Sequence, residues 1–112
     1  MSSSFDKREK AAEAKYVHDA DMAFKVNARR NKLLGLWAAE LIGLSKQDAE
    51  ALAKQTVLSD FEEPGQEDVF KKVMSDLLKA NVDITESEVR KKMEELISVA
   101  EGEIEAEIKD AN

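Results

Sequence analysis

No cysteine occurs anywhere in the 112-residue chain, which excludes disulfide staples and thiol chemistry and fits a reducing compartment. Histidine is nearly as scarce. His18 is the only one, whereas a protein-only zinc site needs several nitrogen or sulfur ligands. One proline, four glycines and 5% aromatic residues leave few turn formers and little strand chemistry, so an Ala-, Glu-, Lys- and Leu-rich chain reads as helix almost throughout. No apolar run approaches the ~18–20 residues of a membrane span. Met1-Ser2-Ser3-Ser4-Phe5-Asp6 lacks the basic and apolar regions of a secretory signal. The expectation is a cytoplasmic protein without membrane insertion. There is no P-loop and no dinucleotide glycine fingerprint, and the carboxylate pairs Glu62/Glu63 and Glu94/Glu95 read as solvated faces. We therefore expect no catalytic residue, no metal and no cofactor: not an enzyme.

What the chain does have is an uneven charge. Residues 1–32 hold eight Lys/Arg against five Asp/Glu, and residues 33–112 hold nine against nineteen, within a net charge of −7. The acidic balance disfavours a nucleic-acid adaptor, because neutralising phosphates supplies most non-specific affinity. The basic segment ends in Arg29-Arg30-Asn31-Lys32, which passes without a break into Leu33-Leu34-Gly35-Leu36-Trp37. That run reads either as a solvated helix face or as a grip for phosphates through Arg29, Arg30 and Lys32.

Caps and periodicity predict four helices, over about 20–43, 45–62, 66–80 and 86–109. Thr85-Glu86-Ser87-Glu88 is a capping box, with Ile84 and Val89 placed as a hydrophobic staple. Val89, Met93, Leu96, Ile97, Ala100, Ile104 and Ile108 then keep one face. Val69, Phe70, Val73, Met74, Leu77 and Leu78 form another stripe after the Pro64-Gly65 turn, with Asn81 as a left-handed stop. Ser45 opens the helix carrying Ala49, Leu52, Ala53, Val57 and Phe61. Leu33, Leu34, Trp37, Leu41 and Ile42 face a core before Gly43. Short connections imply antiparallel neighbours, hence an all-α chain: a small four-helix bundle over residues 20–112.

Residues 1–19 differ. Phe5, Ala12 and Tyr16 share a narrow stripe, but large apolar side chains are otherwise rare. Such a segment is a disordered or frayed helical arm that orders when a groove receives its stripe, or else a plain extension of the first bundle helix.

Several of these residues carry a family resemblance. Phe5-Asp6-Lys7-Arg8-Glu9, Glu13-Ala14-Lys15-Tyr16-Val17-His18-Asp19, Phe24-Lys25 and the block Ala28 through Leu41 resemble the zeta subunit of α-proteobacterial ATP synthases, a family long catalogued as a domain of unknown function. The Asp60-Phe61-Glu62-Glu63-Pro64-Gly65 turn and the last helix also fit. Ser2-Ser3-Ser4 and Val17, where a small residue is expected, depart from the pattern. The resemblance implies an inhibitory regulatory subunit of the F1 sector, whose N-terminal segment enters an α/β catalytic interface and reaches the γ subunit, blocking rotation and ATP hydrolysis. Its partners would be the F1 α, β and γ subunits, and it would be peripheral to the inner membrane when bound. On that match Phe5 and Tyr16 are the apolar anchors of the arm. Arg8, Glu9, Glu13 and Lys15 set its register, with His18 and Asp19 near its end. The alternative reading is a small helical module that binds a nucleotide or other phosphorylated ligand weakly through Arg29–Lys32. His18 also raises the expectation of pH-tuned inhibition, since an ordinary imidazole titrates near ~6.5.

Overall fold

Four helices make up the computed structural model, which describes the backbone of residues 2–62 and 66–111 and the side chains of residues 21–60 and 67–110. They are α1 (Ser2–Ile42), α2 (Lys46–Glu62), α3 (Gln66–Lys79) and α4 (Glu86–Ala111). The local chemistry at their ends is direct. α1 stops at Gly43, whose φ of 86° no side chain would tolerate easily. Ser45 Oγ accepts the Asp48 N–H at 3.3 Å and caps α2. Asn81, at φ 62°, turns the chain after α3. At α4 the Glu88 N–H donates to Thr85 Oγ1 at 3.2 Å, and the Thr85 hydroxyl in turn meets the Glu88 carboxylate at 3.2 Å.

α1 is the axis of the molecule and packs against all three other helices. α2 touches α3 and α3 touches α4, but among the described residues α2 and α4 do not meet. Two apolar clusters result. The larger joins Leu34 and Ala38 of α1 to Val69, Phe70, Val73 and Leu77 of α3 and to Val89 and Met93 of α4, with Trp37 and Ile84 packed on it. The smaller pairs Val26 of α1 with Ala100 and Ile104 of α4, flanked by Met22, Leu33, Ile97 and Ile108. Across α3 and α4, Arg90 lies 3.9 Å from the Phe70 ring centre and reaches both Glu67 carboxylate oxygens, at 3.0 and 3.2 Å. That hydrogen-bonded pairing holds the Glu67 carboxyl below its ordinary pKa.

Two leucines expected in the core are not there. Leu41 is 43% exposed and Leu78 57% exposed. On α1 the buried line runs through Val26, Arg30, Leu34 and Ala38 in steps of four to the half-buried Ile42. Each such step winds about 40° around the helix, so by the last turn Leu41 has been carried off the inward face. Leu78 lies about 100° beyond the buried Leu77 and meets solvent.

Candidate functional site

At 41 residues α1 is about 61 Å long, and α4, at 26 residues, is about 39 Å. The two run antiparallel, with Arg29 opposite Glu103 and Glu107. α4 is the shorter of the two, and α1 continues beyond its end toward Ser2. The arm residues Phe5, Arg8, Glu9, Glu13, Lys15, Tyr16, His18 and Asp19 fall on this continuation, and their side chains lie outside the described residues.

The basic run lies just inside the bundle, and the helical rotation of about 100° per residue sends its members in different directions. Arg29 Nη1 donates to Glu103 at 2.8 Å and Nη2 to Glu107 at 2.5 Å. Those two hydrogen bonds raise the Arg29 pKa above its ordinary value. Arg30 points inward and is 2% exposed. Its Nε donates to Asn31 Oδ1 at 2.7 Å, while Arg30 Nη1 and Asn31 Nδ2 have no hydrogen-bond partner among the described residues. Burial pushes the Arg30 pKa down, and the charge of Asp60 partly offsets this. Lys32 alone of the three cations turns to solvent. Arg29, Arg30 and Lys32 thus do not converge on a common point.

The inward cation was legible in principle. Arg30 stands four residues from both Val26 and Leu34, on a row that is buried along its length. Charge alone made it look like surface. On α2, Thr56 is buried and donates its hydroxyl to the Leu52 carbonyl at 2.8 Å, and Gly35 of α1 lies against this stretch. A cavity of about 60 Å³ lined by Asn27, Asn31, Val57 and Asp60 adjoins this polar patch.

A buried guanidinium with so little compensation makes the patch sensitive. Asn31→Leu removes the acceptor of Arg30 Nε and is expected to cost about 2 kcal/mol, since leaving a buried donor unmade costs roughly 1–3 kcal/mol. Arg30→Met combined with Asn31→Leu removes both polar groups and should return to within about 1 kcal/mol of the wild type or exceed it. Urea unfolding of the two variants checks the order.

Among the described residues there is no group of three or more His, Asp or Glu side chains able to hold a metal, and no helix long and apolar enough to cross a membrane. Three helices packed on a long first helix that runs past its support define a helical bundle protein that presents a rod. The chain belongs to the ATPase inhibitor subunit zeta family, whose model matches residues 1–103. By family it is an inhibitory subunit. A protein solved in solution by NMR is similar over 77% of this chain and 98% of its own, at 49% identity and a TM-score of 0.69. None of the curated proteins compared matches the chain.

Proposed function

We propose that the chain inhibits the F1 sector of ATP synthase by inserting residues 1–19 between an α and a β subunit until they reach γ. Residues 20–112 act as the anchor. Rotation requires those subunits to move past one another, so a rod lodged there stops hydrolysis without making or breaking a bond. The observation that carries this reading is the family match running from residue 1 through the arm into the bundle. The length of α1 beyond the end of α4 supports it. Because residues 21–42 are already helical and packed, the arm can extend an existing helix and avoids the unfavourable nucleation step, a factor of roughly 10⁻³. The bound complex would sit at the cytoplasmic face of the inner membrane, held there by F1.

The anchors are Phe5 and Tyr16, with Arg8, Glu9, Glu13 and Lys15 fixing register and His18 and Asp19 at the rim. Burying one aromatic side chain contributes roughly 1.5–3 kcal/mol, so Tyr16→Ala should weaken inhibition by about 10- to 100-fold. The measurement is ATP hydrolysis by purified cognate F1 against inhibitor concentration. Full-length protein that leaves hydrolysis unchanged at saturating concentration overturns the function. Unchanged potency of Tyr16→Ala overturns only the placement of the anchor.

A further inference from the structure

We propose that the trough above α1, between α2 and α4, is a docking surface for an acidic amphipathic helix on the outside of the inhibited enzyme. The proposal rests on the reading of the chain as an F1 inhibitor and says how its bundle is held. The trough exists because α2 and α4 each pack on α1 but, among the described residues, not on each other. Its floor is one row of α1, with Phe24, Ala28, Lys32 and Leu36 spaced four apart, about 18 Å from end to end. Two open cavities of about 620 and 590 Å³ lie along this row and share Lys32 and Val57. Such a length takes three turns of a guest helix.

The walls specify what kind of helix. Leu36, Ala49, Ala53 and Val57 make one half apolar and mostly small, so a guest backbone can approach closely. Around them stand Lys32, Lys46 and Lys54, none in an ion pair among the described residues, against the single acid Glu50. On a chain of net charge −7, this rim is a local positive excess, and it favours a partner with carboxylates flanking an apolar stripe. The other half is different: Arg29 is neutralised by Glu103 and Glu107, and Ile104 and Ile108 supply apolar wall. Guest carboxylates therefore belong at the Lys46 end, which fixes direction as well as identity. The chain's own acidic stretch at 101–107 is a poor candidate, because its apolar face is already buried through Ala100 and Ile104.

The test uses full-length protein with cognate F1. A photo-crosslinking side chain at the exposed Glu50 should give adducts that map to a helix of F1 carrying acids beside an apolar stripe. Lys32→Glu/Lys54→Glu, both at exposed positions, should raise the dissociation constant tenfold or more and flatten its salt dependence. Circular dichroism should show unchanged helicity, and Lys46→Glu gives an independent reading if the double variant unfolds. Adducts only with a second copy of the chain, adducts with a non-acidic surface, or an unchanged dissociation constant overturn the trough. If wild type inhibits while the charge reversals bind equally well, only this surface fails. If wild type does not bind F1 at all, the inhibitor reading fails with it.

Discussion

Protein lacking residues 1–19 should fold as the full-length chain does and lose inhibition of F1 hydrolysis by about 100-fold or more. The first half of that expectation follows from where the cores lie. Among the residues whose side chains are described, the earliest in either apolar cluster is Met22, and the larger cluster begins with Leu34. Deleting the arm removes none of the described side chains from them, so the melting temperature should move by no more than a few degrees. The second half follows from affinity arithmetic: two decades correspond to about 2.7 kcal/mol, and the loss of both proposed aromatic anchors, Phe5 and Tyr16, at roughly 1.5–3 kcal/mol each, exceeds that. Hydrolysis assays with both proteins, alongside thermal unfolding, check the two halves separately. A truncated protein that inhibits as well as the full chain would place the inhibitory element in the bundle.

The second large effect concerns Gly35. A Cβ built there would lie 2.7 Å from the Ala53 Cα and 2.8 Å from Thr56 Oγ1. The nearer atom is backbone and cannot swing aside, so α2 must move away from α1. Gly35→Val is expected to cost about 3 kcal/mol, the upper end of ordinary overpacking, and to lower the melting temperature by roughly 10–20 °C. Gly35→Ala should cost less, because alanine's better helix propensity returns up to about 1 kcal/mol. Gly102 is the internal comparison. Nothing lies within 4 Å of a Cβ there, so Gly102→Ala should stabilise α4 by about 0.5–1 kcal/mol. If Gly35→Val melts with the wild type, the close crossing of α1 and α2 is wrong.

Local signals in the sequence were reliable where a single residue decides the backbone. Thr85, Asn81, Gly43 and Ser45 each do what their side chain, or lack of one, dictates, whatever packs nearby. Trp37 also sits on the core as its stripe suggests, with the Lys92 ammonium 5.8 Å from its ring centre. What was not legible depends on how helices cross. Arg30 and Asn31 looked like surface because they are polar, yet the inclined row through Val26 and Leu34 carries Arg30 inside, and Asn31 follows on the neighbouring row with the buried Gly35. Leu41 looked buried because it is apolar, and the same winding leaves it out. The trough cannot be read from any one helix. It arises from the separation of α2 and α4, and its lysines come from two helices, Lys32 from α1 and Lys46 and Lys54 from α2.

One feature of α1 bears on how the two ends of the molecule communicate. The helix runs without a break from Ser2 into the bundle, so the arm is geared to its anchor in both angle and distance. Adding one alanine near residue 20 would turn every arm side chain by about 100° relative to the trough while advancing it only about 1.5 Å. Adding seven would nearly restore the angle, to within about 20°, and push the tip forward by about 10 Å. The two insertions therefore separate phase from reach. A wedge that must present particular side chains to its slot tolerates the second better than the first, whereas a plain plug shows the opposite preference.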